Sequence, residues 1–180
     1  MTTYIGLLRA VNLAGLNRVA MADLRELLTG LGFTDVKTLL QSGNVVFRGR
    51  PRAVPGLERT LENALRSDLR VTTDFFVRSV PEWDALIDAN PFPKEAQRDP
   101  QRLIALLLRD AVDAARVKDL QRAIPGREVV RADGRQAYIV YPDGQGRSRL
   151  TIALIEKKLG TRGTARNWNT VLKLRTLAAG

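Results

Sequence analysis

Both alternating faces of the segment Thr3 to Val11 are apolar, with Tyr4 and Leu8 on one side and Ile5 and Leu7 on the other. A strand of that kind is covered on both faces, so the chain needs a layered fold with material above and below its first sheet. The segments that follow fit such a fold. A loop containing Gly15 and Asn17 leads into a helix whose stripe is Leu24, Leu28 and Leu31, and Gly32 supplies its stop. Val36 to Leu40 and Asn44 to Arg48 read as two strands around a Ser42-Gly43 turn. A second helix follows Pro55 with Leu57, Leu61 and Leu65 on one face, and Thr73 to Val80 is a fourth strand. The order is βαββαβ, the ferredoxin-like arrangement.

Between Pro81 and Pro100 the chain turns proline-rich, with a short helix expected over Glu82 to Ala89 and a loop at Asn90-Pro91-Phe92-Pro93. Beyond it come a strand (Leu103 to Leu108), a helix (Asp113 to Ala123), two strands around Asp133-Gly134 and a Pro142-Asp143-Gly144 turn. Two helices are expected to finish the chain. The reading is therefore an α+β protein with a ferredoxin-like portion over residues 1–80, a helical and proline-rich connection over 81–100, and a second, smaller α+β portion over 101–180. Both portions share a strand-helix-strand-strand-helix order, which fits a divergent duplication, although no repeat is visible residue by residue.

The chain has 180 residues, no cysteine and a formal net charge of +10. Without cysteine there are no disulfides and no thiolate metal sites, and no apolar stretch approaches the roughly 18 residues of a membrane span. No positive leader precedes the first apolar run, which Arg9 interrupts. These features are those of a cytoplasmic, bacterial-type protein that does not enter a membrane. The positive charge is uneven: residues 1–97 carry 12 basic and 11 acidic side chains, residues 98–180 carry 17 and 8. From residue 144 onward, Arg147, Arg149, Lys157, Lys158, Arg162, Arg166, Lys173 and Arg175 face a single acid, Glu156. Such clustering is the electrostatic footprint of a surface for nucleic acid or a phosphate-bearing small molecule. A compositional origin fits equally, because 23 of the 29 basic residues are arginine, as a GC-rich genome produces.

The final helix is expected to start within Asn167 to Thr170, with Trp168, Val171, Leu174 and Ala178 on its core face. Its first backbone N–H groups lie at the positive end of the helix dipole, where Arg166, Asn167 and Asn169 can complete an anion site. The competing reading makes Asn167 a helix cap and Trp168 a core side chain.

Covalent catalysis finds little support. The chain contains no histidine, which together with the missing cysteine removes Ser-His-Asp and Cys-His nucleophilic arrangements, the commonest neutral-pH base and typical zinc sites. The carboxylate pairs Asp84/Asp88 and Asp110/Asp113 have helical spacing, but acids are favoured in first turns by the dipole alone. Gly144-Gln145-Gly146 is too short for a dinucleotide fingerprint, and neither a phosphate-cradling GxxxxGK[ST] after a strand nor a Ser-x-x-Lys occurs. No cofactor is expected. An RNA-binding sheet is also a poor match, since Ser42 to Phe47 offers one aromatic and the first strand adds only Tyr4.

Four stretches together resemble a known family: Leu7-Leu8-Arg9-Ala10-Val11-Asn12 with Gly15 and Asn17, Leu40-Gln41-Ser42-Gly43-Asn44-Val45-Val46-Phe47, Asn90-Pro91-Phe92, and Thr164-Ala165-Arg166-Asn167-Trp168-Asn169-Thr170-Val171. They are similar to the bacterial domain of unknown function 1697 family, along essentially the whole chain. The resemblance implies a two-part α+β architecture with a ferredoxin-like N-terminal portion. It implies no established activity and carries over no catalytic residue. Where that family often has a Gly-Gly-Lys-Asn-like loop, this chain has Ala14-Gly15-Leu16-Asn17 and no lysine.

These words are rich in Asn, Gln, Arg and Gly, which make loop hydrogen bonds and phosphate contacts but rarely perform unaided covalent chemistry. A binding role is therefore expected, with Arg9, Asn12, Asn17, Gln41, Ser42 and Asn44 lining a polar groove together with Arg166, Asn167, Trp168 and Asn169. The alternative for the same residues is a buried polar network that fastens the fold. Two other functional classes stay open: a metal-assisted carboxylate enzyme using Asp110 or Asp113, and a protein-interaction or dimer module.

Overall fold

A computed structural model describes residues 1–180. The chain divides into two compact units, Met1–Ala85 with Lys173–Gly180, and Leu86–Leu172. The first unit contains β1 (Thr2–Leu8), α1 (Met21–Gly30), β2 (Thr34–Leu39), β3 (Asn44–Gly49), α2 (Val54–Asp68) and β4 (Phe75–Ser79). Its antiparallel sheet has the order β2-β3-β1-β4, so the mixed α+β, ferredoxin-like expectation holds.

The two faces of β1 are both buried, as its sequence requires: Tyr4, Ile5, Leu7 and Leu8 are all core residues. Tyr4 and Leu8 join Val45, Phe47, Phe75 and Val77 in a core beneath Leu24, Leu28, Leu57, Leu61 and Leu65 of the two helices. Gly32 ends α1 as expected. Its φ of +87° lets Gly32 N–H reach the Thr29 carbonyl (2.9 Å) and Phe33 N–H reach the Leu28 carbonyl (3.1 Å), which satisfies two orphan acceptors of the last turn.

Next come α3 (Val80–Asp88) and α4 (Pro93–Arg98), then β5 (Leu103–Leu108), α5 (Ala114–Ala123), β6 (Val129–Asp133), β7 (Gln136–Val140), α6 (Ile152–Leu159), β8 (Gly163–Asn167) and α7 (Trp168–Ala179). The second sheet has the order β6-β7-β5-β8, the same topology as the first. The repeat extends to the strand ends. In the first unit Leu8 N–H bonds the Gly43 carbonyl (2.8 Å) and Arg9 N–H the Asp74 carbonyl (3.1 Å). In the second, Leu108 N–H bonds the Arg135 carbonyl and Arg109 N–H the Arg162 carbonyl, both at 2.9 Å. A βαββαβ plan thus occurs twice.

Two elements depart from the sequence expectation. Pro93, expected to end a loop, instead opens the short α4, which the sequence reading did not assign and which buries none of its residues and so leaves no apolar stripe to read. The chain also does not finish with two consecutive helices, because β8 lies between α6 and α7. Gly163-Thr164-Ala165-Arg166-Asn167 has no strand-like alternation, and it is held in place by the ladder to β5, from Leu108 opposite Gly163 to Ile104 opposite Asn167. The final helix starts at Trp168. No helix is long and apolar enough to cross a membrane.

Candidate functional site

Six of the ten residues singled out in the sequence gather at one end of the first sheet, in the loop after β1 and in the turn between β2 and β3 with Asn44, the first residue of β3. Backbone strain concentrates there too. Five of the seven non-glycine residues with positive φ, Ala10, Asn12, Ala14, Asn17 and Leu40, lie in these two segments, joined by Gly15 and Gly43. Among these residues only asparagine and glycine adopt this region cheaply, so the two alanines and the leucine are held by their surroundings.

Asn12 is the clamp. Its side-chain Nδ2 donates to the carbonyls of Val19 (2.9 Å) and Gln41 (2.6 Å), while its Oδ1 accepts from Val19 N–H (2.9 Å). One amide thereby ties the loop's entry, its exit into α1 and the β2–β3 turn together. Asn17 is exposed, its carbonyl accepts from Asn12 N–H (3.2 Å) and its Nδ2 approaches the Ala10 carbonyl (3.5 Å). Asn44 is fully buried and donates to the Leu39 carbonyl (2.8 Å) and to Ser42 Oγ (2.9 Å). Arg9 faces Asp74 across 3.8 Å, and its carbonyl accepts from the Thr73 hydroxyl (2.5 Å).

The clamp leaves a pocket of about 430 Å³ lined by Asn12, Gly15, Arg18, Val19, Ala20 and Gln41. Arg18 is the residue sequence reasoning missed. It is exposed and lies over Gly15, its Nη2 3.7 Å from where a Cβ on that glycine would sit. It makes no ion pair, unlike Arg9. A visible signal was that Arg18 is the sole cation between Val11 and the first helix, with no acid beside it. Ala20 precedes α1 without a side chain able to cap its first turn. Leu13, Leu16 and Leu40, 59%, 70% and 55% exposed, flank the same loop and turn.

The other four residues lie in the second unit along β8 and the start of α7. Arg166 is half-buried. Its Nη1 donates to Thr164 Oγ1 (3.0 Å) and to the Ala165 carbonyl (2.8 Å), and burial lowers the guanidinium pKa to about 10. Asn167 Oδ1 accepts from Thr170 N–H (3.0 Å), the bond of an N-cap. Trp168 is 3% exposed and lies against Tyr138, with ring centroids 6.3 Å apart. Asn169 is half-buried in the first turn.

The carboxylate pairs are spread over separate tasks. Asp84 accepts from Nε and Nη2 of Arg175. Asp113 caps α5 by accepting from Ala115 N–H (2.7 Å), and Asp110 Oδ2 accepts from the Thr161 hydroxyl (3.2 Å). No group of three or more acidic side chains is placed to hold a metal ion. On the first sheet Tyr4 and Phe47 stack on one another at 5.5 Å inside the core, so neither presents a ring for base stacking.

The family model described as protein of unknown function (DUF1697) matches residues 1–138, which include the strained loop, the clamp and the pocket. The chain belongs to this family. The matched residues stop before β8 and α7. No curated protein matches the chain. Among solved structures it is similar to the conserved bacterial protein SP0830 from Streptococcus pneumoniae, with a TM-score of 0.78 and 22% identity over 98% of each chain. That likeness establishes a shared fold across both units.

Proposed function

We propose that this DUF1697 protein is a non-catalytic, cytoplasmic binding module that takes a phosphate-bearing small molecule in the pocket at the start of α1. The observation that carries this reading is Arg18, a cation without a carboxylate partner, laid over Gly15 at the rim of a pocket whose other polar groups are amides. A guanidinium offers forked donors to phosphate oxygens. The Gln41 side chain adds N–H donors, and the uncapped first turn of α1 adds backbone N–H groups with the favourable end of its dipole. Asn12 spends its side chain on the backbone, so its part is to fix the shape of the pocket rather than to touch the ligand. Exposed Leu13 and Leu16 on the same loop suit a ligand whose other end is a ring or another apolar group.

None of the pocket residues is a nucleophile or a general base near neutral pH, which supports binding without turnover. The residues of the second unit add little to an anion site in this reading, because Asn167 caps α7 and Arg166 bonds within its own strand.

The test is thermal unfolding with pyrophosphate, adenosine monophosphate and a short single-stranded DNA, each at fixed ionic strength. A ligand that binds only the native state raises its stability by RT ln(1 + [L]/Kd), about 2.7 kcal/mol at about 100-fold Kd. The small phosphates are expected to stabilise the native chain and not Arg18→Ala. Stabilisation by DNA alone, falling with salt, would replace this reading by a nucleic-acid one, and stabilisation that survives Arg18→Ala would remove the site from the pocket.

A further inference from the structure

The two βαββαβ repeats carry the same groove with opposite charge. In each, the first helix packs beside the C-terminal end of the second helix, leaving a surface groove. Asp23, Glu26 and Gly30 are the third, sixth and tenth residues of α1, and Arg116, Asp119 and Ala123 are the third, sixth and tenth of α5. The first groove, about 340 Å³, is lined by Asp23, Glu26, Leu27, Gly30, Leu31, Asp68 and Leu69. The second, about 730 Å³, is lined by Arg116, Asp119, Arg122, Ala123, Lys157 and Lys158.

The charges are available. Asp23, Glu26 and Asp68 are exposed and pair with no cation. The neighbouring arginines on those helices are engaged elsewhere, Arg25 with Thr38 Oγ1 (2.7 Å) and Arg66 with Asn63 Oδ1 (2.7 Å). In the second groove only Arg122 has a carboxylate, Asp119 at 3.8 Å. Arg116 lies over Gly160, the left-handed residue that ends α6, and Lys157 and Lys158 fill that helix's last turn. One groove therefore carries three acids around an apolar floor, with Leu31 36% exposed, and the other carries four cations against one acid.

We propose that the occupant of each groove is a second copy of this chain, the α5–α6 groove of one molecule docking on the α1–α2 groove of the next. Charge complementarity chooses the partner. A chain of net charge +10 repels its own copies, so an acidic patch is where a copy can be attracted, and the four cations of the α5–α6 groove complement the three acids of the α1–α2 groove. The contact joins two different patches and is heterologous, so a molecule engaged through one groove still offers the other. Because the charges are exposed, the association is weak and salt-sensitive. The phosphate pocket lies at the other residues described above, and neither proposal depends on the other.

Sedimentation velocity tests this with the full chain and two variants, Glu26→Lys/Asp68→Lys and Lys157→Glu/Lys158→Glu. All four positions lie outside the core, so circular dichroism should match the native chain. The native protein is expected to gain mass with concentration, past the dimer, at about 50 mM salt and to revert to monomer at about 500 mM. Each variant alone should remain monomeric. An equimolar mixture should associate again, because the intact groove of each variant has the sign opposite to the other's. A native chain that is monomeric at low salt would overturn the proposal. So would a mixture that stays monomeric, or a single variant that still self-associates.

Discussion

Leu8 and Gly43 meet backbone to backbone and side chain to α-carbon: Leu8 N–H donates to the Gly43 carbonyl at 2.8 Å, and a Cβ added to Gly43 would lie 2.7 Å from Leu8 Cβ. Val11 Cγ2 closes the same space at 2.7 Å, and Gly43 itself has a φ of +78°. Gly43→Ala therefore meets both a conformational penalty and an overlap with two buried side chains. A loss of about 2–4 kcal/mol is expected in urea unfolding. A loss below about 0.5 kcal/mol would mean that the turn is not seated as described.

Asn12→Ala removes three hydrogen bonds at once and leaves Val19 N–H and two carbonyls without their partner. The expected cost is about 1–3 kcal/mol. The more specific readout is hydrogen exchange at the Val19 amide, which should lose protection while amides of β5 keep theirs. Equal exchange in both proteins would show that the clamp does not hold in solution.

Glu58 and Arg78 form a buried pair, 1% and 5% exposed at their side chains, with Nη1 3.7 Å from Oε1. Glu58 Oε1 also accepts from Val77 N–H (2.9 Å), tying α2 to β4. Removing the carboxylate leaves a buried charge less compensated, so Glu58→Ala is expected to cost about 3–5 kcal/mol. By contrast, Asp84→Ala, which breaks the partly exposed pair with Arg175, should cost about 0–1 kcal/mol.

Much of this fold was legible because apolar runs and turn residues carry it. Leu103 to Leu108 is a continuous apolar run and all six residues are buried; Gly32 and the Asp133-Gly134 turn fall where the backbone needs positive φ. What was hidden depends on tertiary context. β8 is polar and short, and its ladder to β5 makes it a strand. In the candidate site, Asn12 and Gln41 were readable as loop polar residues, but Arg18 acquires meaning only when Gly15 and Ala20 are folded around it. The helix start expected to hold an anion, at α7, carries its own cap in Asn167, whereas α1, beside the pocket, starts without a side-chain cap.

Tyr138 and Tyr141 are buried, and their hydroxyls donate to the carbonyls of Leu86 (2.5 Å) and Leu150 (2.9 Å). Burial first, then the nearby charges of Asp133 and Glu128, raises both pKa values to about 12. The folded state thus holds these protons after the unfolded chain, with an ordinary value near 10, has released them. Their contribution is fully present below about pH 10 and is lost as pH rises toward 12. Tyrosinate absorbance should therefore appear at lower pH in the urea-unfolded chain than in the native one, and coincident titrations would contradict the burial of these rings.

The central claim, that Arg18 and the start of α1 form a phosphate site, is tested most directly by titrating pyrophosphate into the ¹⁵N-labelled chain and following amide and arginine side-chain resonances. The account expects saturable shifts at Gly15, Arg18 Nε–Hε and the Ala20 to Ala22 amides, absent in Arg18→Ala. Shifts confined to Arg116, Lys157 and their neighbours, or none that saturate, would contradict it.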